Sequence, residues 1–252
     1  MSIKIICRNF KRGIWGRIMA ITLSIFFSAI HLYANCYANA PEDSVSKRID
    51  YIRKTIIGRY GLRFELDKNG IPISITGDLY KGAKSSDPIE QAYQFFDFNR
   101  DIFPIKDAKT ELRVMQHIGG DESFGPTVKL AWSVNGIIVD GSEIILNYSR
   151  DNKLYSYYGR FFPEALAINT DPVISQNEAE QTALRDSIVT ATQDLNDTAA
   201  SIHLATLIIA RFDGKMILTW YVSVIKGVGN SWGFWIDAQT GRILKSGSLI
   251  IN

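Results

Sequence analysis

Cysteine and histidine are scarce in this 252-residue chain, with two and three copies. Two cysteines, Cys7 and Cys36, exclude a disulfide scaffold and any cysteine-rich zinc module. Beyond residue 38 only His117 and His203 remain. They share no local ligand spacing, and no His-Glu-x-x-His is present, so a catalytic zinc with ligands on one helix is not written here. There is no phosphate loop ending in Gly-Lys-Ser/Thr. No nucleophile elbow and no Cys–His pair is expected. Charge of one sign is also lacking. Five basic residues and no acid fall in the first 38 positions, which leaves 23 basic against 26 acidic residues in the remainder. A mildly acidic body without a basic cluster argues against a nucleic-acid partner, whose binders present a concentrated positive face.

What is present begins with an address. Lys4 to Arg17 is a basic leader, and Ile18 to Ile30 is a 13-residue run without a charge. That length suits the core of a signal peptide and is short of the ~20 apolar residues of a membrane span. Residues 1–38 are therefore expected to be a signal peptide cut after Ala38. Contact with a membrane is expected only through an uncleaved leader or a lipidated Cys36. The expected location is secreted, periplasmic or at the cell envelope of a bacterium.

The remainder reads as α+β. A helix is expected over Ser44–Ile57, with Val45, Ile49, Ile52 and Ile56 on one face and Gly58 ending it. Asp67-Lys68-Asn69-Gly70 lies between alternating apolar residues and marks a hairpin, with Pro72 relegating its second strand to a sheet edge. Asp87-Pro88-Ile89-Glu90 starts a second helix, with Asp87 as cap and Glu90 in capping-box position, and Ile89, Ala92, Tyr93 and Phe96 form its core stripe. Val128–Val134 and Ile137–Tyr148 flank Asn135-Gly136, a tight hairpin, and Leu154–Tyr158 continues the meander. Residues 161–172, with Pro163 and Pro172, separate two expected domains, 44–165 and 173–252. The second opens with the capping box Ser175-Gln176-Asn177-Glu178, on a helix carrying Ala179, Ala183 and Ile188. Residues 193–200 and 227–231 are expected loops. A hairpin turns at Asp213-Gly214, and two last strands, Trp232–Asp237 and Arg242–Ile250, join at Ala238-Gln239-Thr240-Gly241. The expectation is two small domains, each an antiparallel sheet packed on a helix.

Several segments resemble a known pattern. Asn135-Gly136-Ile137-Ile138-Val139-Asp140-Gly141-Ser142-Glu143 resembles the Asn-Gly-Ile-Pro-Val-x-Gly-x-Glu core of the fungalysin/thermolysin propeptide (FTP) domain, with Ile138 where the family has proline. Gly77-Asp78-Leu79 and Asp87-Pro88 resemble its lead-in. Ile174-Ser175, Glu178, Ala179 and Ala183 resemble the opening helix of a PepSY domain, and Trp232 to Leu244 resembles its strands around an Asp-Ala-x-Thr-Gly turn. The order is that of the two-part propeptide of secreted thermolysin-like zinc proteases, over about residues 62–247. The resemblance implies a cystatin-like fold for the second half. It implies structural roles for Asn135, Gly136, Gly141, Glu143, Asp237 and Gly241. The catalytic domain that follows in a zymogen has no counterpart up to Asn252, so protease activity is not implied, and neither a cofactor nor a metal is expected.

The implied role is binding. Family propeptides template and then block a catalytic domain, so the expected partner is a secreted thermolysin-like metalloprotease, bound as inhibitor or folding chaperone. Open strand edges supply affinity through the backbone. Trp220, Trp232 and Trp235 are expected in the core. The apolar tail Ser248-Leu249-Ile250-Ile251 is expected either to finish the last strand or to contact the partner. Two alternatives stand beside this: a cell-envelope module binding a small molecule or wall component, and the relic of a truncated zymogen.

Overall fold

The computed structural model describes residues 42–61, 63–81, 83–190, 200–225 and 231–249. The expected leader, with Cys7 and Cys36, and the expected loops at 193–199 and 227–230 lie outside the described residues, as do Ile250 and Ile251 and the side chain of Ile188. The elements run α1 (Glu42–Tyr60), β1 (Arg63–Leu66), β2 (Pro72–Thr76), α2 (Pro88–Phe98), α3 (Ala108–Glu111), β3 (Leu112–Ile118), β4 (Thr127–Val134), β5 (Ile137–Tyr148) and β6 (Leu154–Gly159). A 3-10 turn at Pro163–Ala167 follows, then α4 (Gln176–Thr190), β7 (Ser201–Phe212), β8 (Lys215–Ile225), β9 (Ser231–Asp237) and β10 (Ile243–Ser248). The α+β class expected from the sequence is what the chain adopts: few helices on one large, mostly antiparallel sheet.

Helix α1 buries Ile52, Ile56 and Tyr60, one turn apart. It does not stop at Gly58. It runs on to Tyr60 and yields at Gly61, whose φ of +96° suits a residue without a Cβ. Helix α2 starts as expected: Asp87 accepts the amide of Ile89, and Pro88 fills the first turn. Glu90 does not complete a capping box, because it pairs instead with Lys109 at 2.9 Å. Ser175 and Glu178 do complete theirs. The Glu178 carboxylate accepts the Ser175 amide at 2.8 Å, and the Ser175 hydroxyl accepts the Glu178 amide at 3.3 Å.

Three hairpin turns use the left-handed backbone that their sequences invite. Asn135 and Gly136 have φ of 51° and 80°, and Asp213 and Gly214 have 49° and 78°, the two-positive-φ pattern of a type I′ turn. At the first hairpin only Gly70 is left-handed, at 75°. There Asp67 closes the turn by accepting the amides of Asn69 and Ile71 at 2.8 and 2.7 Å.

The strands form one ten-stranded sheet, ordered β1-β2-β6-β5-β7-β8-β9-β10, with β4 and then β3 on the other side of β5. Strand β2 is therefore not an edge. It pairs β1 on one side and β6 on the other. Pro72 is tolerated because β6 reaches only Ser74 to Thr76 and asks no ladder bond of the proline on that side, while on the other it meets Leu66 of β1 at a register slip. Strand β5 holds the molecule together. Its second half pairs β6 antiparallel, and Ile138 and Val139 pair Ile208 and Ile209 of β7 in parallel. The sheet thus crosses the 161–172 segment without a break.

Two layers of side chains make the core. Under the first half of the sheet, Phe95, Phe96, Phe103, Tyr157 and Phe161 stack with ring centroids 5.0 to 6.2 Å apart, an arrangement worth about 0.5–1.5 kcal/mol per pair beyond area burial. Under the second half, Ala179 and Ala183 of α4 are fully buried. Small residues let the helix approach Leu218, Val222, Phe234 and Ile236, which line the inward face of β8 and β9.

Candidate interaction surface

The motif residues of the first half build a turn and a bulge. Past the Asn135-Gly136 turn, the β4–β5 register slips between Ala131 and Ser133, where Ala131 faces Glu143 but Ser133 faces Ile138. Gly141, at φ 76°, makes that step. Ser142 repairs the ladder. Its buried hydroxyl accepts the Trp132 amide at 3.1 Å and donates to the Val139 carbonyl. The bulge thereby separates the part of β5 that pairs β7 from the part that pairs β6. Glu143 points outward, 3.9 Å from Lys129. An exposed pair at that distance adds little stability.

The motif residues of the second half build a clasp. The Asp237 side chain accepts the amides of Gln239 and Thr240 at 2.8 and 3.1 Å, and the Gly241 amide donates to its carbonyl at 2.8 Å. Gly241 sits at φ 73°. The next carbonyl, Ala238, accepts the amides of Val173 and Ile174 at 2.9 Å each. The Ile174 carbonyl in turn accepts the Trp220 indole at 2.8 Å. This fixes the entry of α4 against the end of β9. Both turns reach the segment that joins the halves: the Asn135 amide group donates to the Thr170 hydroxyl at 3.1 Å and that of Gln239 to the Asp171 carbonyl at 2.9 Å.

Trp220 is buried, as expected. Trp232 packs on the core from a half-buried position. Trp235 lies on the other face of β9, 5.0 Å from the Tyr221 ring and capped by the Lys245 ammonium at 4.8 Å. The tail follows the strand option as far as it is described. Ser248 pairs opposite Trp232, and the Leu249 amide donates to Ser231 at 2.7 Å.

Hollows flank the first half. One, of about 190 Å³, is lined by Asp67, Phe161, Phe162, Glu164 and Arg211 among others. There Arg211 pairs Glu164 and stacks on Phe162 at 5.1 Å. Burial pushes the Asp67 carboxyl up, the Ile71 and Asn69 amides pull it back, and Glu164 adds to the rise. Another, of about 400 Å³, lies beside the Asn135-Gly136 turn. Among the described residues no group of three His, Cys, Asp or Glu side chains is placed to hold a metal ion. His117 and His203 are both exposed, on β3 and β7. The spacing Gly-x-Ser-x-Gly does occur once, at Gly229, Ser231 and Gly233. Ser231 opens β9 and Gly233 lies within it, so the strand-to-helix turn that makes a nucleophile elbow is missing there.

Among the described residues the outermost strands are β1, β10 and β3, and β7 has no strand beside Ser201 to Leu207 on its β5 side. Strand β1 is four residues long, and its open edge is correspondingly short. Strand β3 is different and leaves no signal in the sequence, where it reads as ordinary β-structure. Only Leu112 is buried, and every residue from Arg113 to Ile118 is exposed. No helix among the described residues is long and apolar enough to cross a membrane.

Fold and surface together define an α+β protein with one long, mostly antiparallel sheet and open strand edges among the described residues. No protein-family model matches the chain. Neutral protease B of Bacillus subtilis (strain 168) is 24% identical to it over 160 residues, which is 62% of this chain and 29% of that protein. The chain thus spans less than a third of the length of this curated relative. Among solved structures, the Bacillus megaterium YpeB C-terminal domain aligns with a TM-score of 0.37 at 13% identity, covering 81% of this chain and 97% of that one. The YpmB protein from Bacillus subtilis aligns at 0.20 and 16% identity, covering 55% of this chain and 87% of its own.

Proposed function

We propose that the chain works as a protease propeptide does, by binding a secreted thermolysin-like metalloprotease and acting on it as inhibitor or folding assistant, without turnover of its own. The observation that carries this reading is the similarity to Neutral protease B, confined to under a third of that protein's length. The turns at 135–143 and 237–241 support it. Among the residues that resemble FTP and PepSY motifs, Asn135, Gly136, Gly141 and Gly241 take positive φ. The sequence offers no local zinc-ligand spacing, which fits a binding role. In this reading the chain is exported and meets its partner outside the cytoplasm, consistent with the basic leader and its short apolar run.

The test mixes the purified chain with purified thermolysin-like proteases. One arm follows the initial rate of peptide hydrolysis, and the other the yield of active enzyme on refolding. The expected result is a slower rate, a higher refolding yield, or both, with at least one enzyme. No change in either arm across several such enzymes would remove the proposal.

A further inference from the structure

Strand β3 spends seven residues on the sheet and buries one of them. Val114, Met115 and Ile118 are exposed by 36, 57 and 45%, and Phe124 in the following loop by 73%. Among the described residues only β4 pairs with it, which leaves its outer row of amides and carbonyls open there. Proteins blunt such an edge with charged side chains, above all lysine, with proline, with a bulge or with a covering element, because an open strand is a template for another. The stretch LRVMQHI contains neither lysine nor proline. Its only irregularity is a bulge between Val114 and Gln116. The side chains also select by charge. Arg113 and His117 lie on the strand and no acidic residue does. A strand laid alongside is favoured if it places a carboxylate opposite Arg113 on one face and an apolar side chain beside Val114 on the other. A second copy of this chain fits poorly. Antiparallel pairing about Met115 would set Arg113 opposite His117 and face one bulge with another.

We propose that the outer edge of β3 is a docking site for an extended segment of a partner protein that alternates apolar and acidic side chains. The docked segment extends the sheet by one strand. Backbone bonds supply affinity, and Arg113 supplies the preference for acid. This surface does not require the partner to be a protease, so the hydrolysis and refolding tests above can fail while it stands, and the reverse.

The experiment uses the full chain and two labelled eight-residue peptides, one alternating valine with threonine and glutamate, the other with lysine in place of glutamate. Fluorescence anisotropy at low salt gives affinity, and amide hydrogen exchange gives location. The expected result is saturable binding of the acidic peptide, about tenfold tighter than the lysine peptide, with slowed exchange along 112–118. Arg113→Glu should reverse the preference, and Arg113→Gln should abolish it. Both substitutions fall on an exposed side chain, and circular dichroism checks that each variant is folded. Absence of saturation up to about 1 mM, roughly the weak end of specific binding, would overturn the proposal. So would protection at β1 or β10 in place of β3. A dimer in sedimentation equilibrium with β3 protected before peptide is added would assign the edge to a second copy and also overturn it.

Discussion

Two tyrosines tie the sheet to what lies over it. The Tyr157 hydroxyl, fully buried, donates to the Pro72 carbonyl at 3.0 Å, and the Tyr148 hydroxyl donates to the Pro88 carbonyl at 2.6 Å. Burial pushes both phenols above their ordinary value of 10. An unfolded phenol ionises near pH 10, while the folded ones hold their protons higher. Unfolding above pH 10 therefore releases protons, and stability falls as the pH climbs from 10 towards the folded values, being complete below 10. Urea titrations at pH 8 and pH 11 should show the loss. Tyr157→Phe should cost about 1 kcal/mol at pH 8, where a carbonyl is left without its donor, and its disadvantage should shrink at pH 11. A disadvantage that grows with pH would mean the phenol is not held neutral by burial.

At the scale of the element, helix starts behave according to which side chain finds a partner. Asp87→Ala removes the acceptor of the Ile89 amide and should lower stability by about 1 kcal/mol. Glu90→Ala should leave the start of α2 intact, since Glu90 is engaged with Lys109 and not with the cap. Thermal melts of the two variants check this, and equal losses would restore the capping box that the spacing suggests. The same contrast explains what was legible in advance. Asp87-Pro88, Ser175 with Glu178, Asn135-Gly136 and Asp213-Gly214 are decisions made within four residues, and each element begins or turns where those residues say. Helix α1 overran Gly58 because an exposed helical position tolerates glycine, at a cost of about 1 kcal/mol against alanine, when its neighbours Ile56 and Tyr60 are buried. Pro72 misled for a comparable reason. Its place in a sheet depends on where β6 ends, some 85 residues later. The nakedness of β3 is likewise set by what fails to cover it.

At the scale of the whole molecule, the two halves meet through β5. Residues 161–172 have the composition of a linker, and each half has its own helix on its own strands. A sequence window cannot reveal that Ile138 and Val139 lie beside Ile208 and Ile209, since a parallel pair 70 residues apart has no turn to announce it. The pairing has an energetic consequence. Val139 and Ile209 are both buried, so the halves share core as well as backbone bonds, and opening one exposes the flank of the other. Ile209→Ala should cost about 2–5 kcal/mol. If the sheet is one cooperative body, that loss should appear equally in hydrogen exchange at β4 and at β8, although Ile209 belongs to the second half. Two separable domains would instead show β8 opening early, with β4 unchanged.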